Sequence, residues 1–138
     1  MASAYSSIEL AVPPEVVWQL VGGFGSLPDW NPAVTDSTLA EGGRTRRLPL
    51  PDGSAILERL LTFDEDQRRY TYTIVRASFP VTDYRSTLRV SNREGSKGSR
   101  VEWSGEFTPK GVSDQEASRI FQELYDGGLK ALASHFSK

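Results

Sequence analysis

The 138-residue sequence contains no cysteine, a single histidine and a single methionine. Without cysteine there is no disulfide, no thiolate nucleophile and no Cys-ligated metal, and one histidine speaks against a His-based centre. Carboxylates alone can hold a hard cation, but no EF-hand-like spacing is present, and Asp64-Glu65-Asp66-Gln67 fits a turn rather than a metal site. No metal and no cofactor is expected. Long apolar runs are missing too: nothing approaches the ~18 residues of a membrane-spanning helix. The opening MASAYSSIELAVPP lacks the basic start and apolar stretch of a signal peptide, so the expected location is cytoplasmic. Nor does one sign of charge dominate. Sixteen Lys and Arg against eighteen Asp and Glu give a formal net charge of -2, unlike the basic footprint of a nucleic-acid binder. Twelve of the bases are arginines, scattered beside acids and turns as solvated strand faces are.

What is present, 38% hydrophobic and 25% charged residues, describes one globular domain over residues 1–138 with material for a sizeable core. Residues 6–12 read as a strand with Ile8, Leu10 and Val12 on one face, stopped by Pro13-Pro14. A short helix follows, with Pro14 at its start, Val16, Val17, Leu20 and Val21 on its buried side, and Gly22-Gly23 at its end. Residues 24–32 hold a second short turn or helix, and residues 34–39 a strand closed by Glu41-Gly42-Gly43. After a hairpin, strands over residues 70–76, 83–90 and 100–108 show the period-2 alternation of half-buried antiparallel pairs. Ser113-x-x-Glu116 is a capping box with Val112 placed as its staple. It opens a long helix on which Ala117, Phe121, Leu124, Tyr125, Gly128, Leu132 and His135 share one face at ~100° per residue. One such helix covers a sheet.

The hairpin carries the most informative residues. Pro51-Asp52-Gly53 reads as a three-residue turn with glycine at the position that needs positive φ. Counting outward, Leu50 opposes Ser54, Leu48 opposes Ile56 and Arg46 opposes Glu58, with Leu60 on the same face. An arginine and a glutamate thus point to the side that carries the leucines, where unpaired charges are costly.

The order of elements, the stretch AVPPEVVWQLVGGFGSLPDWNP after the first strand, Gly43-x-x-Arg46-x-Leu48, the Glu58-Arg59-Leu60 triplet and VEWSGEF near the last strand resemble the START-like, or SRPBCC, superfamily. The resemblance covers nearly the whole chain and runs to the bacterial polyketide cyclase/dehydrase and lipid-transport branch. It implies an α+β helix-grip fold: a seven-stranded antiparallel sheet wrapped around the long C-terminal helix, two short helices after the first strand, and a cavity for an apolar ligand. It implies no particular reaction, because the superfamily includes receptors, carriers, cyclases and co-chaperone types. No plant-hormone gate and latch sequences are present.

Within such a fold Arg46 and Glu58 form either a structural ion pair or a polar anchor for a ligand; a different register would place them in solvent. Tyr72, Tyr84 and Trp103 share the inferred concave face as pocket walls or as plain core. Ser86 and Gly105 are small there, and Gly128, a mid-helix glycine on the buried face, points the same way, toward unfilled volume; a kink at Gly127-Gly128 is the alternative. Phe121 and Leu124 face the sheet from the helix. Trp30 reads as a lid at the mouth or as a cap on the core edge, and His135 as a packing rather than a catalytic histidine. The leading expectation is binding or carriage of a small hydrophobic molecule, a lipid, polyketide-like aromatic or isoprenoid, with Trp30, Arg46, Glu58, Tyr72, Tyr84, Ser86, Trp103, Phe121, Leu124 and Gly128 as its contacts. The alternatives are a cyclase/dehydrase-type enzyme in which Glu58, Tyr72 or Tyr84 moves protons, and a protein-interaction module with a vestigial cavity. Pairing with Arg46 is expected to favour the charged form of Glu58.

Overall fold

The computed structural model describes residues 2–137. Strand β1 (Ala2–Leu10) is followed by α1 (Pro14–Val21) and α2 (Leu27–Trp30), then by β2 (Thr38–Ala40) and a single 3₁₀ turn over Glu41–Gly43. The remaining strands, β3 (Thr45–Pro49), β4 (Ala55–Asp64), β5 (Arg69–Arg76), β6 (Val81–Asn92) and β7 (Ser99–Pro109), precede the long helix α3 (Asp114–Phe136). The seven strands form one antiparallel sheet in the order β1-β7-β6-β5-β4-β3-β2, curled around α3 in a helix-grip fold. Among the described residues, no helix is long and apolar enough to cross a membrane.

Local chemistry accounts for most boundaries. At the hairpin, Leu50 N–H donates to Ser54 O at 2.8 Å and Gly53, at φ +89°, donates to Leu50 O. Arg46 faces Glu58 and Leu48 faces Ile56, as the turn requires. The Ser113 hydroxyl caps α3 by accepting from Glu116 N–H at 3.1 Å. Alternation holds along β6 and β7: Tyr84, Ser86, Leu88 and Val90, then Val101, Trp103, Gly105 and Phe107, are buried.

Register shifts curve the sheet. On β4 and β5 the pairing skips Leu61 and Val75, and both side chains are nearly half exposed. A further shift between β6 and β7 lies around Asp83, held at φ +53°. Each extra residue bends its strand and sharpens the local twist, which lets a flat ladder close over a single helix.

Several boundaries differ from the sequence reading. Strand β1 begins at Ala2 rather than residue 6 and stops at Leu10. Its inward residues Ala2, Ala4 and Ser6 are buried but small, because the edge of β1 lies against α3. There Gln122 donates to Tyr5 O and accepts from Tyr5 N–H, and the Ser6 hydroxyl donates to Asp126. The strand placed at residues 34–39 reduces to Thr38–Ala40, paired only with β3 and wholly exposed. On α1, Val16 is 42% exposed and Trp18 takes the buried position instead, its indole N–H donating to Glu65 in the turn after β4 at 2.9 Å. On α3, Leu129 is buried while His135, expected on the apolar face, is exposed at the last turn, edge-on to Phe136.

Candidate functional site

Arg46 and Glu58 reach the concave side from adjacent strands. Arg46 Nε donates to Glu58 Oε1 at 2.8 Å and Nη1 donates to the Phe24 carbonyl at 2.9 Å. Its guanidinium lies 4.1 Å from the centre of the Phe24 ring and 4.8 Å from that of Tyr72. Arg46 is 1% exposed and Glu58 6%. A cation taken this far from water survives only if ion pairing, hydrogen bonds and aromatic faces together replace its hydration, and all three are present. Burial works against the Arg46 cation, but the Glu58 carboxylate and the neighbouring phenols hold its pKa up. For Glu58 the balance differs from the expectation drawn from its partner: burial outweighs Arg46 and raises the carboxyl above its ordinary value.

Beside the pair lies a buried polar chain. Trp103 Nε1–H is shared between the Tyr72 hydroxyl and Ser86 Oγ, each at 3.1 Å. Ser86 donates to the Ser104 carbonyl at 2.8 Å and accepts from the Tyr125 hydroxyl at 3.3 Å, and the Tyr84 hydroxyl completes the chain on Tyr125. Burial pushes the Tyr72 and Tyr84 phenols well above their ordinary range and that of Tyr125 up to about 12. These groups stay protonated near neutrality.

Between the hairpin, β5 and α3 is a cavity of about 460 Å³, within the ~300–1,000 Å³ typical of small-molecule sites. Eight of the expected contacts line it together: Arg46, Glu58, Tyr72, Tyr84, Trp103, Phe121, Leu124 and Gly128. Two stand back from the wall. Ser86 is completely buried beneath Trp103 and Tyr125. Trp30 packs edge-on against Trp103 with ring centres 5.8 Å apart, and its indole N–H has no partner among the described residues; its position is that of a core-edge cap.

The small residues do not leave the empty volume attributed to them. A Cβ on Gly105 would lie 2.2 Å from the Tyr125 hydroxyl, and one on Gly128 would lie 2.7 Å from Trp103 Cζ3. Both glycines admit an aromatic ring. Gly128 borders the cavity from beneath Trp103, whereas a Cβ on Gly127 would meet nothing within 4 Å. The sequence reading also missed part of the lining. Leu48, Leu50 and Ile56 sit on the same hairpin as Arg46, and their alternation with it was a usable signal. Asn31, Val34 and Phe79 come from non-repeating segments that carry no such signal. Among the described residues, no group of three or more His, Asp or Glu is placed to hold a metal ion.

A family model described as polyketide cyclase/dehydrase and lipid transport matches residues 1–137. Among solved structures, the protein XoxI from Bacillus cereus is 52% identical with a TM-score of 0.96, over 100% of this chain and 97% of that one. A Bacillus thuringiensis protein is 50% identical with a TM-score of 0.95, over 99% and 100%. A START superfamily protein from Mycobacterium smegmatis has the same fold at 16% identity, with a TM-score of 0.78 over 99% and 98%. The comparison with curated proteins returns no match.

Proposed function

The chain belongs to the polyketide cyclase/dehydrase and lipid transport family, and from that membership and the cavity we propose that it is a single ligand-binding domain that binds or carries a small, mainly apolar molecule. The observation that carries this reading is the composition of the wall. Leu48, Ile56, Ile74, Phe79 and Leu124 surround one buried ion pair, which is the combination of apolar surface and few fixed polar groups that small-molecule sites use. Arg46 and Glu58 serve there as the polar anchor. Tyr72, Tyr84 and Trp103 supply aromatic wall.

One observation favours a second reading, an enzyme of the cyclase/dehydrase kind. Glu58 is a buried carboxyl raised toward neutrality, a property of many acid/base residues. The phenols beside it are moved away from neutrality, which makes them poor proton-transfer partners near pH 7 and supports binding over turnover. Native mass spectrometry of the purified protein, followed by extraction, tests the proposal. A bound apolar molecule recovered unchanged after incubation supports carriage. Conversion of that molecule over many turnovers, lost in Glu58→Gln, would make the protein an enzyme, and an empty cavity that takes up no apolar fluorescent probe would remove both readings.

A further inference from the structure

Resting on the binding role just proposed, we infer that the cavity selects an uncharged ligand bearing a hydroxyl group, which donates to Glu58 Oε2, and discriminates against ligands that end in a carboxylate.

The first argument is that the cation is enclosed. Among the described residues Arg46 is the one Lys or Arg lining the cavity, and two of its nitrogens already donate, to Glu58 Oε1 and the Phe24 carbonyl. The flat faces of its guanidinium lie near the rings of Phe24 and Tyr72. With 1% of its surface exposed, it offers a ligand carboxylate no open fork for bidentate pairing.

The second argument is that what remains open is an acceptor. Only Oε1 of Glu58 is engaged, and among the described residues no donor bonds Oε2. At the exposed rim stands a second acid, Glu123. Two acids against one base leave the lining with a formal charge of -1 when ionised, and like charge in a poorly solvated site is strongly disfavoured.

The third argument concerns donors. Trp103 Nε1–H is used, and the Tyr125 and Tyr84 hydroxyl hydrogens are used along the chain to Ser86. Tyr72 differs: its oxygen accepts from Trp103, and its own hydrogen has no acceptor among the described residues. Glu58 pairs with Ile74 on β5, two positions from Tyr72, so the open carboxylate oxygen and the open phenol hydrogen belong to diagonal cross-strand neighbours on one face. A hydroxyl group can donate to the first and accept from the second. Of these two, a carboxylate can satisfy only the phenol, and a hydrocarbon neither.

The test is displacement of the neutral probe N-phenylnaphthylamine by decanol and by decanoate at about pH 8, where the acid is ionised. Decanoate is intrinsically the better hydrated, so the decisive quantity is the ratio of the two apparent affinities in the wild type against that in Glu58→Gln. Removing the negative charge while keeping the side-chain shape is expected to reduce the preference for decanol by about tenfold. Tyr72→Phe provides an independent arm. It is expected to weaken decanol several-fold more than it weakens decane. A ratio unmoved in Glu58→Gln, or decanol unaffected in Tyr72→Phe, overturns the selectivity while leaving apolar binding intact. Failure of the wild type to take up the probe or any of the three competitors would instead sink the binding role itself.

Discussion

Where β6, β7 and the middle of α3 meet, Ser86, Gly105 and Gly128 each lie beneath an aromatic side chain, whereas around Arg46 and Glu58 large aliphatic side chains border about 460 Å³ of space. Both regions belong to one concave face and one helix. In the filled region Trp103 stacks on Tyr125 at 4.8 Å and Phe121 lies 4.7 Å from Phe107, so helix and sheet approach until rings interlock. In the open region the wall away from the hairpin is made by Leu27 of α2, by the loop after it and by the stretch of α3 around Leu124. The comparison shows that a small residue on an inward face marks close approach as readily as it marks a void. The void lies where no element supplies an opposing side chain.

The largest expected effect breaks the open region at its charges. Glu58→Ala strands a buried guanidinium and is expected to cost about 3–5 kcal/mol, read by urea denaturation. Replacing the pair together by Arg46→Met and Glu58→Leu is expected to recover most of that loss, since the uncompensated charge rather than the missing contact carries the cost. A double variant as unstable as Glu58→Ala would assign the loss to packing instead.

The two adjacent glycines of α3 sharpen the comparison. Gly128→Leu drives a side chain into Trp103 and is expected to destabilise by about 1–3 kcal/mol with altered near-ultraviolet circular dichroism. Gly127 has open space where its Cβ would lie, so Gly127→Ala is expected to gain up to ~1 kcal/mol from helix propensity. Gly127→Leu is expected to reduce probe uptake with the far-ultraviolet spectrum unchanged. Equal responses at the two positions would contradict the division into filled and open regions.

A smaller loss is expected within the filled region. Tyr84→Phe removes the donor at the end of the phenol chain and is expected to cost about 0.5–1.5 kcal/mol in denaturant melts. A larger loss would mean that the chain is cooperative through Tyr125 and Ser86.

This division was only half legible in the sequence. The Arg46–Glu58 register followed from Pro51-Asp52-Gly53 by counting, and alternation placed Tyr72, Tyr84 and Trp103 on one face, because both signals are local. The helix-grip topology came from the resemblance. The start of β1 escaped, since Ala2, Ala4 and Ser6 carry little apolar signal and are buried by α3, more than a hundred residues away in sequence. The bulges at Leu61 and Val75 have no marker such as glycine. The position of the cavity depends on which distant side chain reaches each gap: Tyr125 fills the one above Gly105, and no described side chain fills the one beside Ile56 and Leu124.

The smallest expected effect separates the two regions by pH. Burial raises the folded-state pKa of Glu58 above its ordinary 4.5, so over some interval the native protein holds a proton that the unfolded chain has released. The stability that Glu58 contributes is then fully present below the ordinary carboxylate range and falls as pH rises through the folded value. Glu58→Gln lacks this titration and keeps an oxygen for Arg46. Whatever its offset in acid, the difference between it and the wild type is expected to move in the variant's favour as pH rises above the ordinary carboxylate range, read from paired thermal melts. In the filled region the phenols are raised as well, so their contribution persists to the ordinary phenol range near 10 and is lost only above it, visible as tyrosinate absorbance that appears together with unfolding. If Glu58→Gln instead lost ground with rising pH, Arg46 would dominate burial at Glu58. The open region would then be held by its ion pair in the way the sequence alone implied.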